Sequence, residues 1–260
     1  MSKAFYKPSM VPELLYRYKC TSRRSVEIWL TTCIVTNFGK KHAKCHVLIN
    51  PSNPQLSGVQ NFPYFPRGGP VPDEKPMSMH KDWQPLGFVT QWGGMEVGHG
   101  MLYPVSVVDG LVHQYGGWRL KAECQLKQAL RSGEAEAACP VGSAVMTSSG
   151  GLRDEYDAIV HTTPPFYKYH DSPEIFLSKC YQSAFKKAFA KYSRVATPLL
   201  GAGARGFPEN VAINVAAMES RQWCNDGEQA SRRKEGEVLA FGMLEKRLAD
   251  ELAVAIEEST

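Results

Sequence analysis

The chain has 260 residues, 43% hydrophobic and 22% charged, with 30 Lys and Arg against 26 Asp and Glu. That length supports one large domain or two small ones with a sizeable core. The charge balance excludes a strongly cationic nucleic-acid arm or an acidic tail as the chief feature. No stretch approaches the roughly 18 consecutive apolar residues of a membrane helix, so no membrane partner is expected. The seven cysteines (Cys20, Cys33, Cys45, Cys124, Cys139, Cys180 and Cys224) are scattered and contain no C-x-x-C. That pattern reads as reduced thiols of an intracellular protein, cytoplasmic or nuclear, rather than as a disulfide framework.

Residues 1–25 read as a lead-in to a domain spanning 26–260. Met1 to Arg24 carries six Lys or Arg and one acid, Glu13, which faintly suggests an organelle signal. Pro8 and Pro12 would interrupt an amphipathic helix there, and no apolar run accompanies them. Val26–Val35 is β-branched and apolar, and His46–Ile49 is a short apolar run; both predict strands. Residues 51–85 then hold eight of the 17 prolines. With the glycines that follow, and with Phe62, Tyr64, Phe65, Trp83, Phe88 and Trp92, they predict a packed, irregular insertion over 59–106.

Beyond it, Gly110–Leu130 can carry a helix, and Ser143–Thr147 and Asp157–Thr162 predict strands. Phe176–Tyr192 places Leu177, Cys180, Tyr181, Ala184, Phe185, Ala188, Phe189 and Tyr192 on one face, with four lysines opposite, the pattern of a surface helix. A strand at Arg194–Leu200, a glycine loop, a helix opening near Pro208, a strand at Glu237–Met243 and a final helix complete the order. In the final helix Leu244, Leu248, Leu252 and Ile256 recur every four residues. Alternation of this kind predicts an α/β fold with a largely parallel sheet between helices. Ligands of such sheets bind beyond the carboxyl ends of the strands.

Two loops lie there. Gly201-Ala202-Gly203-Ala204-Arg205-Gly206 follows an apolar strand and precedes a helix, so its backbone N–H groups can converge on an anion. As a G-x-G-x-x-G string it sits too late for a dinucleotide fingerprint, and the next strand ends in Phe241-Gly242-Met243 rather than in an acid. A turn that merely needs glycine is the plainer reading. The second loop, Asn50-Pro51-Ser52-Asn53-Pro54-Gln55-Leu56, places two asparagines after a strand, where they cap a turn or offer amides to hydroxyls.

Taken together these segments resemble the macro domain, the ADP-ribose-binding module. Asn50–Leu56 resembles that family's N-A-A-N-x-x-L loop, and Val108-Asp109-Gly110-Leu111-Val112-His113-Gln114-Tyr115-Gly116-Gly117 its V-D-G-A-I-H-x-A-G-G segment. Cys139–Val145 resembles its C-x-T-G-x-A-x strand entry, Ile159–Pro165 its I-H-T-V-G-P strand, and Thr197–Pro208 its phosphate loop. The resemblance implies a three-layer α/β/α fold with a mixed, largely parallel sheet. It implies ADP-ribose or a related adenine nucleotide as ligand, held by Asn50, Asn53, Val108, Gly110 and the run Gly201, Ala202, Gly203, Ala204, Arg205, Gly206 and Phe207. Asp109 and Asn53 would be the catalytic pair if ADP-ribosyl or O-acetyl-ADP-ribose linkages are hydrolysed.

Departures from the family pattern keep other readings open. Ile34 stands where an adenine-reading acid is usual, Gly201-Ala202 replaces Ser-Thr, and Arg205 replaces the aromatic over the distal ribose. A non-catalytic reader of ADP-ribosylated proteins, or a pocket altered for another phosphorylated ligand or nucleic acid, are the alternatives. Read alone, Asp109 before a helix is an N-cap. His42, Cys45 and His46 lack a second ligand cluster, so no metal and no cofactor are expected. The other cysteines on apolar faces read as inert, and Arg232-Arg233-Lys234 as a charged loop with a weak claim on nucleic-acid phosphate.

Overall fold

The structure, a computed structural model, describes residues 11–21, 23–58, 108–131, 137–168, 170–203, 205–226 and 236–258. The predicted insertion at 59–106, Ala204 and the Arg232–Lys234 run lie outside the described residues.

Among the described residues seven strands form one sheet: β1 Glu13–Lys19, β2 Arg24–Leu30, β3 Val47–Pro51, β4 Ala144–Ser148, β5 Ala158–Thr162, β6 Arg194–Thr197 and β7 Glu237–Met243. Their spatial order is β1-β2-β7-β6-β3-β5-β4. The inner pairs are parallel, and only the outermost pairs, β1 with β2 and β5 with β4, are antiparallel. Every residue of β5 and β7 is buried. Continuous burial is what parallel strands covered on both faces require.

The helices are α1 Val108–Arg131, broken at Gly117, α2 Pro173–Phe189, α3 Glu209–Asn225 and α4 Lys246–Glu258. Alternate strand residues divide the core. Val47 and Ile49 face α2, α3 and α4 with Leu177, Tyr181, Ala216 and Leu252. Leu48 faces α1 with Val112, Leu120 and Cys124. Pleating thus makes the three layers. Among the described residues no helix is long and apolar enough to cross a membrane.

Three expectations need correcting. The strand predicted over Val26–Val35 ends at Leu30, because the chain then turns, with Thr31 Oγ1 donating to the Asn37 carbonyl at 3.1 Å. The apolar run continues since Ile34, Val35 and Phe38 are buried under α1. Ile34 packs against Gly242, where a Cβ would come within 2.8 Å of its side chain, so β7 needs glycine at that point. Secondly, β6 ends at Thr197, before Pro198, and not at Leu200.

Thirdly, the cysteines are not all thiols. Cys20 and Cys224 form a disulfide with Cα atoms 5.4 Å apart, joining the β1–β2 hairpin to the last turn of α3. Their separation of 204 residues gives no spacing signal. Arg24 reinforces the junction: it pairs with Glu237 at 2.9 Å, lies 5.1 Å from the Trp223 ring centre, and donates to the carbonyls of Trp223 and Asp226.

Candidate functional site

The parallel sheet brings the carboxyl ends of β3, β5 and β6 to one edge, against the start of α1. Strand register sets Asn50 beside His161. Asp109 lies in the first turn of α1, where a carboxylate is favoured by the helix dipole. Asn50, Asp109 and His161 are all buried.

Their polarity follows from the chemistry of each group. Asp109, as a carboxylate, can only accept, so the Asn50 atom 2.7 Å from its Oδ1 is the amide Nδ2. The same nitrogen lies 3.1 Å from His161 Nδ1, which must accept in turn. The His161 proton therefore sits on Nε2, 2.9 Å from Thr147 Oγ1. Burial, aided by the nearby His113 charge, takes the His161 pKa down to about 3, so the ring stays neutral.

On its other side Asp109 Oδ1 is 3.4 Å from His113 Nε2, one helical turn along α1. Burial alone would raise the Asp109 pKa, but the His113 charge and the Asn50 amide outweigh it and the pKa falls. Burial opposes the charge on His113 as well, and there the Asp109 carboxylate prevails and raises the pKa. The result is a buried ion pair held by a neutral hydrogen-bonded chain. Three buried atoms at this site, Asn50 Oδ1, Ser52 Oγ and His113 Nε2, have no hydrogen-bond partner among the described residues, His113 Nε2 standing at ion-pair distance from Asp109. An unsatisfied buried acceptor is costly unless a ligand completes it.

Asn53 does different work from the hydroxyl-binding role that the motif implied for it. Its Nδ2 donates to the Gly58 carbonyl at 2.7 Å, and its Oδ1 accepts from the N–H groups of Gln55 and Ser57 at 3.2 and 3.1 Å. It shapes its own loop.

Arg205 is buried rather than solvated. It donates to the Ser52 carbonyl at 2.6 Å and stands 4.4 Å from the centre of the Phe166 ring. Burial takes its pKa down to about 9. Its carbonyl accepts from the Tyr167 N–H at 3.0 Å, and Tyr167 packs on Phe207 at 5.1 Å. Arg205 thus fastens the glycine loop to the end of β3. Phe207 points into the core beneath Gly201. Within the loop the N–H of Gly206 donates to the Gly203 carbonyl, and that of Phe207 to Gly201. Gly203 is exposed, and among the described residues, chain neighbours aside, no atom lies within 4 Å of a Cβ added at Gly203 or Gly206. Ala202 and Gly110 are buried, and Val108 is half-buried at the start of α1.

The sequence reading did not single out His113, His161, Thr147 or Ser52. His113 had a signal, four residues after Asp109 on one helix. His161 lies in the Ile159–Pro165 segment that resembles the family's I-H-T-V-G-P strand, but its role needed the β3–β5 register. The donor atoms of His113, His161 and Cys124 lie within 4.8 Å of one another, the cluster here with the chemistry to hold a metal. As folded, both His161 nitrogens are engaged, and burial, with the Asp109 and Glu123 charges adding, pushes the Cys124 thiol up to about 12. The three are arranged as a hydrogen-bonded pocket floor.

Comparison with known proteins defines the class. Residues 101–216 match the family model of the Macro domain. The fold superposes on the Oceanobacillus iheyensis macrodomain with ADP at a TM-score of 0.61, with 18% identity, covering 95% of this chain and 97% of that one. It likewise resembles the Trypanosoma brucei macrodomain in complex with ADP, at a TM-score of 0.55 with 16% identity, covering 89% of this chain and 68% of the other. Residues 101–216 thus match the Macro domain pattern, and the fold is that of the macrodomains.

Among curated relatives, a macro domain-containing protein of Listeria monocytogenes is 36% identical over 121 residues, 46% of this chain and 65% of the relative. O-acetyl-ADP-ribose deacetylase 1 of Pantoea vagans is 36% identical over 112 residues, 42% of this chain and 61% of its own. The chain therefore spans a little under two thirds of the length of these relatives.

Proposed function

We propose that this site binds ADP-ribose or a related adenine nucleotide and hydrolyses a linkage at its distal ribose. The observation that carries the reading is the buried Asp109–Asn50 pair at the carboxyl edge of β3, with an acceptor, Asn50 Oδ1, that has no hydrogen-bond partner among the described residues. A ribose hydroxyl is the donor of the right size and chemistry to complete that acceptor. The exposed glycines Gly203 and Gly206, which bring no Cβ of their own, suit the approach of a pyrophosphate. The name of the Pantoea vagans relative and the ADP in the neighbouring structures support the same ligand class.

In the hydrolytic reading Asp109 Oδ1 is engaged by Asn50 and His113, and Oδ2 takes a proton from water. The water oxygen then bonds to the substrate carbon as the bond to the leaving group breaks. A second reading, binding without turnover, is favoured by Asn53, whose amide is engaged inside its own loop. ADP-ribosylated proteins would be partners in either case, and the intracellular, cytoplasmic or nuclear, setting rests on the five free cysteines, with the Cys20–Cys224 disulfide counting against it. Incubation with mono-ADP-ribosylated protein and with O-acetyl-ADP-ribose decides between the readings. Release of ADP-ribose supports hydrolysis; binding of ADP-ribose with no release supports the reader; neither leaves both wrong.

A further inference from the structure

We propose that His161 is a positioning residue: through Asn50 it fixes the orientation of Asp109, acting as a neutral hydrogen-bond acceptor. The inference rests on the hydrolytic reading above for its kinetic arm and on geometry alone for its spectroscopic arm.

The chain of contacts runs Thr147 Oγ1, His161 Nε2, His161 Nδ1, Asn50 Nδ2, Asp109 Oδ1, with steps of 2.9, 3.1 and 2.7 Å between side chains. Its direction is determined at one end. A carboxylate accepts only, so Asn50 must present its amino group; that group needs a second acceptor, and His161 Nδ1 is the atom in place. Were His161 protonated on Nδ1, two donors would face each other and Asn50 would turn over. The turned amide would set its oxygen against the Asp109 carboxylate, which is repulsive.

The site thus contains two imidazoles with separate tasks. His113 balances the Asp109 charge, and His161 aims it. The groups that face His161 are Asn50 from β3, Thr147 from β4, and Asp109, His113 and Cys124 from α1. Orientation matters because a small misplacement of a catalytic group lowers the rate of the chemical step without weakening binding.

Two substitutions separate aiming from mere packing. Asparagine at 161 can place its oxygen where Nδ1 lies and so retain the acceptor; leucine retains bulk and removes it. His161→Leu is expected to lower kcat on O-acetyl-ADP-ribose by about tenfold or more, with KM and the ADP-ribose Kd changed by less than about threefold. His161→Asn should recover most of that kcat. Equal kcat in His161→Leu and parent, or no recovery in His161→Asn, overturns the proposal.

Independently of turnover, 15N NMR of the parent should show the His161 ring neutral, with its proton on Nε2, between about pH 5 and 8. A proton on Nδ1 overturns the proposal, and so does stoichiometric zinc retained through His113, Cys124 and His161, because a metal-bound nitrogen cannot accept from Asn50. A parent that turns over nothing fails the hydrolytic reading, and the NMR result still decides the role of His161.

Discussion

The two halves of the candidate site are held in place by different physics. At the ends of β3 and β5 the geometry is set by buried side chains bonded to one another, from Thr147 through His161 and Asn50 to Asp109. Across the cleft, the Gly201–Phe207 loop is held by main-chain bonds and by Arg205, clamped between the Ser52 carbonyl and the Phe166 ring. The first half should tolerate few substitutions, since each leaves a buried polar partner exposed to no solvent. The second should tolerate changes that neither cross the open face nor release Arg205.

The largest effect should come from obstructing the second half. Gly203→Glu places a carboxylate on the exposed face, where among the described residues, chain neighbours aside, no atom lies within 4 Å of the new Cβ, so the fold should persist. ADP-ribose affinity should fall by about a hundredfold or more, roughly 2.7 kcal/mol, while circular dichroism remains native. Unchanged affinity would remove the loop from the site.

Next in size is a bond remote from both halves. Reduction of Cys20–Cys224 releases a closure of 204 residues and should cost about 2–4 kcal/mol of stability. The Tm should fall by roughly 5–15 °C on adding reductant. Free-thiol counts should rise from five to seven. A Tm indifferent to reductant would show that Arg24 and the core already hold the hairpin unaided.

Asp109→Ala tests the first half. Turnover should drop by about tenfold or more, on the order of 1.4 kcal/mol of barrier. Equal turnover would leave Asp109 as a helix-terminal charge and nothing more.

Acid stability probes the same half without a substrate. The folded pKa of His161 is about 3, well below its ordinary 6.5. Between these values the unfolded chain binds a proton that the folded chain does not, so stability falls as pH falls, by up to about 1.4 kcal/mol per pH unit. The lowered Asp109 pKa has the same sign, its contribution being lost as pH falls through the carboxylate range. His113 has the opposite sign: its raised pKa contributes stability below 6.5 that is lost as pH rises through the folded value. Denaturant unfolding of parent and His161→Asn from about pH 7 to 4 should show a flatter acid limb in the variant.

Sequence disclosed these halves unequally. The glycine loop was legible because Gly201–Gly206 follows an apolar run and precedes Pro208, and local chemistry alone marks such a turn. The β7 strand was legible for a similar reason, as an unbroken apolar run at Val238–Met243. Asn50 and Asp109 were legible only through a family resemblance. The roles of His161, Ser52 and Arg205 were not, because they depend on which strands lie side by side and on which loop covers another. A resemblance also carried Asn53 in as a ligand, whereas its amide is consumed by the turn it organises. Pairing of Cys20 with Cys224 is the extreme case, a contact that only the finished topology creates.

The central claim is that the buried Asn50 at the end of β3, its Oδ1 without a partner among the described residues, is the point where this site grips its ligand. Calorimetric titration of ADP-ribose into the parent and into Asn50→Leu tests it most directly, with AMP as the truncated control. The account predicts one site per chain in the parent, weaker binding of AMP, and an affinity for ADP-ribose reduced by about tenfold or more in Asn50→Leu. Equal affinity of parent and Asn50→Leu for ADP-ribose, in two well-folded proteins, would contradict it.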